Sequence, residues 1–207
     1  MQLVDMLNNI QNYSEIKKSL RVKLMAVNGN EEKLMERPHR IFEDIAMVYQ
    51  ISIDTSEDYY DSIQVTNAML EKWDITEQQL NDDAMLGSYT VSSAYLLPIG
   101  QMIGIDLNED VSNTFVASSG AINGAWIMFF PGMMASYAKQ LGSKGYYILP
   151  SSIHEMLLMP AEYSDYDARV LQRIVAEINE TEVSPEDRLT DSIYYYDYST
   201  DTFRKTA

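Results

Sequence analysis

Apolar residues form an almost continuous run in one part of the chain and a helical repeat in another, and each pattern predicts a different kind of element. Residues 45–53, Ile-Ala-Met-Val-Tyr-Gln-Ile-Ser-Ile, are rich in β-branched and aromatic side chains, which is typical of a strand. Residues 170–178 carry apolar side chains at helical spacing and predict a strongly amphipathic helix. A capping box, Thr76–Gln79, predicts another helix that ends at about Leu86, before Gly87. The chain therefore combines helices with strands.

The C-terminal half predicts pairs of strands separated by helices. Residues 114–118 and 126–130 predict two strands joined by a Gly- and Asn-containing turn, and a helix begins at Pro131. Residues 146–149 and 153–159 predict a second pair of strands on either side of a short turn. This β-β-α-β-β-α-β order is not the strict alternation of a parallel sheet. The expected fold is therefore α+β, with a mostly antiparallel sheet and helices packed on it.

The expected domain organisation is simple. A chain of 207 residues is long enough to bury a core of its own. The sequence has no repeat of solenoid period and no low-complexity linker. We therefore expect one α+β domain over residues 1–207, with two lobes, about 1–110 and 111–207, as the alternative division.

The charge balance disfavours two classes of partner. The chain has 15 Lys and Arg residues against 31 Asp and Glu residues, which gives a formal net charge of −16. Such a field repels phosphate backbones and anionic lipid, so we expect neither nucleic acid nor a membrane as a partner. The densest basic stretch, Lys17–Lys23, is short and has no aromatic side chains between its cations. We interpret it as a solvated face.

The residues needed for metal, cofactor and thiol chemistry are scarce. The chain has no cysteine, and His39 and His154 are its two histidines, so we expect no thiolate site and no metal site built on several histidines. It contains no P-loop, no dinucleotide-binding glycine pattern and no nucleophile elbow, and we expect no cofactor. Met1–Met6 lacks the pattern of a secretion signal, and the most apolar run, residues 125–130, is too short to span a bilayer. The expected location is the cytoplasm.

The best candidate for a catalytic cluster comprises Ser151, Ser152, His154 and Glu155. A serine beside a histidine can form a nucleophile with its base. If a strand begins at Ile153, however, successive side chains point to opposite faces, so Glu155 cannot orient the His154 ring. The alternative interpretation is a structural turn, in which the serines bond backbone amides and a neighbouring carbonyl satisfies the histidine.

Arg37, His39 and Arg40 form a second candidate site, for binding. Two guanidinium groups beside an imidazole can grip a carboxylate or a phosphate. In so acidic a chain, the alternative is that they bond the protein's own carboxylates.

A third candidate is a row of tyrosines near the C-terminus. Tyr194, Tyr196 and Tyr198 alternate along a predicted strand and so share one of its faces. Tyrosine is favoured at protein contact surfaces, which indicates a binding face. A strand that flanks the core explains the same pattern equally well.

Several blocks of sequence form a set of motifs, namely residues 36–40 leading to 44–49, and residues 69–76, 126–132, 148–155 and 194–197. Together they resemble an uncharacterised bacterial family of unknown function that is frequent in Firmicutes of the Clostridia type. The Leu-Pro-Ser-Ser-Ile-His-Glu stretch is the most specific of them. The Leu-Glu-Lys-Trp block and the later proline-to-strand block are also similar to a second uncharacterised family, with a bacillar protein of unknown role.

The resemblance covers about Ser14 to Asp197 and implies the family fold and a bacterial cytoplasmic setting. It implies no activity, substrate or catalytic residue. Relatives carry a further N-terminal region before the position of Ser14, and this chain is expected to lack it.

These observations lead to one main prediction of function and two alternatives. The main prediction is a non-enzymatic binding or protein-interaction module. The first alternative is a hydrolase that uses Ser151 or Ser152 with His154, aided by His39 and the adjacent arginines. The second is an acidic mimic of nucleic acid that occupies a basic partner.

Overall fold

The structure is a computed structural model that describes residues 10–55, 60–104, 113–120, 122–163 and 167–207. The chain forms two compact units, Met1–Ser93 and Ala94–Ala207. Each unit has its own antiparallel sheet with helices packed on it, so the α+β prediction is confirmed. The spacing of Leu3, Leu7 and Ile10 predicts a helix within the first twenty residues, and residues 1–9 of that segment lie outside the described residues.

The first unit is built around one long strand. Its elements are α1 Tyr13–Ile16, a 3-10 turn Lys17–Ser19, β1 Leu20–Ala26, α2 Glu31–Met35, β2 His39–Phe42, β3 Ile45–Thr55, β4 Tyr60–Gln64, α3 Asn67–Trp73 and α4 Glu77–Thr90. β3 pairs with β1 along one side and with β2 and β4 along the other. Its first seven residues are all buried, which explains the continuous apolar run that predicted it.

Helix α4 covers the outer edge of β1. The backbone N–H of Val22 donates to Oγ of Ser88 at 2.9 Å, so the helix satisfies a donor that the sheet leaves unpaired. A Cβ atom at Gly87 would lie 2.5 Å from the carbonyl oxygen of Leu20. The prediction that α4 ends before Gly87 is therefore wrong. The glycine lets the helix approach the strand, and the helix continues to Thr90.

The second unit is a sheet with helices on both faces. Its elements are β5 Tyr95–Pro98, α5 Ile99–Ile103, β6 Phe115–Ser118, a 3-10 helix Gly124–Phe129, α6 Met133–Leu141, β7 Gly145–Pro150, β8 Met156–Pro160, a 3-10 turn Ala161–Tyr163, α7 Ala168–Thr181, β9 Tyr194–Asp197 and β10 Thr202–Lys205. The described strands run in the order β10-β9-β7-β8-β6-β5, and all neighbours are antiparallel.

The two faces of this sheet pack against different helices. On one face, Leu149 and Met159 form a buried cluster with Leu171 and Val175 of α7 and with Ile193. On the other face, the Tyr146 hydroxyl donates to the carbonyl oxygen of Met134 in α6 at 3.0 Å. Alternate residues of β7 therefore serve two cores.

Two predicted strands of this unit need correction. Residues 126–129 belong to the 3-10 helix Gly124–Phe129, which follows a turn at Asn123 with a φ of 54°, and Phe130 is extended. Residues 124–128 of this segment are buried. A run buried all round carries no period that could separate helix from strand. The strand predicted over 153–159 begins only at Met156, because local side-chain bonds hold the preceding residues in a turn.

None of the helices in the described part of the chain has the length and apolar character needed to cross a lipid bilayer.

Candidate functional site

The predicted catalytic residues lie together in the turn between β7 and β8. The backbone N–H of His154 donates to Oγ of Ser152 at 3.0 Å, and the N–H of Ser152 donates to the carbonyl oxygen of Glu155 at 3.3 Å. The Ser151 hydroxyl donates to Oε1 of Glu155 at 3.4 Å. Ser152 therefore bonds a backbone amide, which is the contact that the structural interpretation expects, whereas Ser151 bonds the Glu155 carboxylate.

The His154 ring is held from two sides. The backbone N–H of Asn123 donates to Nδ1 at 2.9 Å, and Nε2 lies 3.3 Å from Oδ1 of Asp187. Because a backbone N–H can only donate, Nδ1 is the acceptor and the proton of the neutral ring is on Nε2, the nitrogen that lies near Asp187. The other carboxylate oxygen of Asp187 accepts from the Ser184 hydroxyl at 2.7 Å.

His154 therefore joins three segments that are distant in sequence. Its carbonyl oxygen accepts from the Ser118 hydroxyl at 2.7 Å, which ties the end of β6 to this turn. Gly124 fits in the same place because a Cβ atom there would lie 2.0 Å from Oγ of Ser118 and 2.7 Å from the oxygen of His154. The ring has two partners, a backbone amide and a carboxylate, and neither is the backbone carbonyl that the structural interpretation expects.

This geometry limits what the cluster can do chemically. A serine nucleophile needs a ring nitrogen that accepts its proton, and the two nitrogens of His154 contact Asn123 and Asp187. The serine contact of His154 is made by its backbone, and the carboxylate beside its ring belongs to Asp187 and not to Glu155. The arrangement is that of a structural cross-link.

The second candidate set, Arg37, His39 and Arg40, lies in the first unit at the start of β2. Nδ1 of His39 donates to the carbonyl oxygen of Arg37 at 2.8 Å. Nη1 of Arg37 donates to Oε1 of Gln64 at 3.3 Å, and Nη2 of Arg40 donates to Oε1 of Gln78. The arginine hydrogen bonds run to glutamine amides, where the alternative interpretation expected the protein's carboxylates.

Arg40 also belongs to a small polar network against the core. Burial raises the pKa of the Tyr49 phenol, and Arg40 partly opposes that effect. The Tyr49 hydroxyl donates to Oδ1 of Asn81 at 3.1 Å. Hydrogen bonds from Gln78 and Asn81, with a smaller effect of Arg40, lower the pKa of the Asp82 carboxyl. Arg40 thus connects β2 to α4.

The tyrosine row divides between the interior and the surface. Tyr194 and Tyr196 are buried, and Tyr198 follows the strand and is 38% exposed. The Tyr194 ring stacks on Phe203 with centroids 4.9 Å apart, and the Tyr196 hydroxyl donates to Oδ1 of Asp201 at 2.6 Å. Tyr194 and Tyr196 are therefore core residues, and the interpretation as a core-flanking strand describes both.

A groove in the first unit was not anticipated from the sequence. It has a volume of about 410 Å³ and is lined by Lys17, Lys18, Asp83, Leu86, Gly87 and Thr90, and we call it the α4 groove. One wall is the 3-10 turn before β1, and the other is the second half of α4.

Large apolar side chains are exposed at the groove and beside it. Leu86 is 59% exposed, and Tyr89 and Val91 at the end of α4 are 44% and 65% exposed. The signal in the sequence was apolar spacing that continues past Gly87, together with the basic stretch that begins at Lys17. Each signal alone is weak, and the fold brings them together.

Within the described ranges, no group of three or more His, Asp and Glu side chains is placed to hold a metal ion.

A family model described as a family of unknown function (DUF5688) matches residues 2–198. The match begins before Ser14, where the resemblance seen in the sequence starts. No curated protein and no solved structure matches the chain.

Proposed function

The chain belongs to DUF5688, a family of unknown function, and we propose that it is a non-enzymatic protein-binding module. The observation that carries the proposal is the α4 groove, with Leu86 exposed in its wall and Tyr89 and Val91 exposed beside it. Apolar side chains on one helix end, next to a concave surface with a charged rim, are typical of a protein interface.

The groove has the features of a preformed site. Its volume of about 410 Å³ falls in the range of roughly 300–1,000 Å³ that is common for binding pockets. Leu86, the large apolar residue in its lining, stands on a regular helix that is packed against a sheet, so a partner orders little of the protein when it binds.

The two alternative functions have less support. A hydrolase needs His154 to accept a proton from a serine, and both ring nitrogens have other partners. An esterase, phosphatase and peptidase screen on wild type and His154→Ala would reveal such an activity as a rate that the substitution removes. A mimic of nucleic acid needs an acidic binding face, and the rim of the α4 groove carries two lysines.

The cytoplasm of a bacterium is the proposed location. A chain without cysteine has no disulfides that would require an oxidising compartment. Fractionation of cells with an antibody against the protein would test this, and recovery in the secreted fraction would contradict it.

Site-directed photo-crosslinking tests the binding function. A photoreactive phenylalanine analogue at position 86 is expected to give one discrete adduct in cells of a bacterium that encodes the chain. The same analogue at Met35, which is 73% exposed in the same unit, is the matched control. The adduct is identified by mass spectrometry, and the purified partner is then titrated against the full chain.

The titration decides the proposal. Leu86→Asp is expected to weaken the purified partner at least tenfold, and Met35→Asp is expected to leave its affinity unchanged. Equal adducts at both positions, or a partner that binds Leu86→Asp as well as wild type, would overturn the proposal.

A further inference from the structure

We infer that the α4 groove binds an acidic, amphipathic segment of a partner protein, with apolar side chains against Leu86 and carboxylates facing Lys17 and Lys18. This inference rests on the proposed binding function and names the chemistry of its partner.

Positive charge is concentrated in the segment that forms one wall of the α4 groove. The chain has a net charge of −16, yet four of its 15 Lys and Arg residues lie within residues 17–23. Lys17 and Lys18 both line the groove. In the described part of the chain, neither ammonium group has an ion-pair partner, so their charge is available to a ligand.

The electrostatic repulsion between the chain and an acidic partner has a short range in salt solution. The acidic surface of the whole chain repels an acidic partner, but salt screens that repulsion beyond roughly 8 Å at physiological ionic strength. At contact distance, the charges nearest the ligand determine its affinity. The two lysines of the groove favour carboxylates and disfavour a basic segment. The groove is thus a place where an acidic segment can bind an otherwise acidic protein.

The lining of the groove carries a negative charge as well as the two lysines. Asp83 lies among the lining residues and accepts a hydrogen bond from the Tyr13 hydroxyl at 2.7 Å. Its charge disfavours a ligand carboxylate at that position. The carboxylates of the segment therefore face the lysine wall, and its apolar side chains face Leu86 on α4.

The walls of the groove are fixed before any ligand binds. Nη1 of Arg21 donates to the carbonyl oxygens of Lys18, at 2.8 Å, and of Leu20, at 2.7 Å, which holds the 3-10 turn against β1. Gly87 holds α4 against the same strand. A ligand therefore pays little for ordering the site.

Fluorescence anisotropy with the full chain and three labelled 12-residue peptides tests the inference. The first peptide carries leucines at helical spacing and glutamates elsewhere. The second has lysine in place of every glutamate, and the third has serine in place of every leucine. We expect the first peptide to bind at least tenfold more tightly than either of the others.

Charge reversal in the protein tests the assigned lysines. Lys17→Glu with Lys18→Glu is expected to weaken the acidic peptide at least tenfold and to favour the basic one. Lys33→Glu with Lys72→Glu makes the same charge change on exposed lysines of the same unit outside the groove, and is expected to preserve the wild-type order. Lys17→Gln with Lys18→Gln gives an intermediate loss, and circular dichroism verifies that each variant is folded.

The outcomes separate this inference from the proposed function. No binding of the acidic peptide, equal binding of the acidic and basic peptides, or binding only to anionic phosphatidylglycerol vesicles would overturn the inference. If a partner crosslinked at position 86 keeps its affinity for the charge-reversed protein, the binding function stands and the acidic-segment inference fails.

Discussion

The backbone amide of Asn123 donates a hydrogen bond to Nδ1 of His154 at 2.9 Å, and this contact determines which ring nitrogen carries the proton. Asn123 is 6% exposed, so water offers its N–H little alternative. The ring therefore acts first as an acceptor for a buried donor, and second as a neighbour of the Asp187 carboxylate, whose Oδ1 lies 3.3 Å from Nε2.

Replacing His154 by asparagine or glutamine separates these two roles. Asparagine places its carbonyl oxygen near the position of Nδ1 and keeps an acceptor for Asn123, whereas glutamine reaches towards Asp187 and leaves the buried N–H unpaired. We expect His154→Gln to lower the free energy of unfolding by about 2 kcal/mol and His154→Asn by about 1 kcal/mol. Urea titration measures both. An asparagine variant as unstable as the glutamine variant would refute this ranking.

Gly87→Ala is expected to destabilise the first unit. The new methyl group would lie 2.5 Å from the Leu20 carbonyl oxygen, so α4 must move away from β1, at a cost of about 2 kcal/mol. Helix propensity alone predicts the opposite, because alanine is favoured over glycine by about 1 kcal/mol in a helix interior. A thermal unfolding experiment distinguishes the steric effect from the helix-propensity effect by whether the melting temperature falls or rises. A stabilised variant would rule out the close contact.

Glu162 is expected to make the stability of the second unit depend on pH. The hydrogen bond from the Ser143 hydroxyl, followed by those from the backbone N–H groups of Glu162 and Lys144, lowers the pKa of this carboxyl below its ordinary value of 4.5. Since the pKa is lower in the folded state, the stabilisation is present above pH 4.5 and is lost as the pH falls through the folded-state pKa.

Glu162→Gln is therefore expected to cost about 1 kcal/mol at pH 7, a modest value because solvent screens the exposed carboxylate. The difference from wild type should shrink as the pH falls below 4.5 in a series of urea titrations. Ser143→Ala should give the same trend, and the double variant should lose less than the sum of the two. Additive losses would mean that the two side chains do not interact.

Gly124→Ala is expected to disrupt the junction around His154. A Cβ atom there would lie 2.0 Å from Oγ of Ser118, 2.7 Å from the His154 oxygen and 2.9 Å from the Ser119 nitrogen. Because two of these atoms belong to the backbone, the cost should reach about 3 kcal/mol. Adding Ser118→Ala removes the nearest contact and should recover part of the loss. If the single change costs less than about 1 kcal/mol, the junction is looser than described.

The sequence predicts those parts of the fold that depend on neighbouring residues. The long central strand β3 follows from its composition, and Oγ1 of Thr76 accepts from the N–H of Gln79 at 3.1 Å, as the capping box predicts. The predictions that are wrong concern elements whose bounds or type depend on contacts with segments distant in the sequence. The end of α4 depends on Leu20 across the unit, and residues 124–128 are all buried, so their spacing shows no period that would identify a helix.

The candidate sites follow the same rule. The sequence brings His154 close to two serines and Glu155, but the ring takes its partners from Asn123 and Asp187, each about 30 residues away along the chain. The α4 groove joins residues 17–18 to residues 83–90, and neither segment indicates a site by itself. Contacts between distant segments are what a single sequence leaves undetermined.

Because α4 covers the edge of β1, it also prevents that strand from pairing with a second molecule of the protein. In the described sheet, β1 has a strand on one side only, and its residues alternate between buried and half-buried positions. Without the helix, the N–H of Val22 loses its Ser88 acceptor and can pair with a strand of a second molecule. Loosening of α4 therefore leads to aggregation through strand pairing, which would appear as concentration-dependent turbidity below the unfolding temperature.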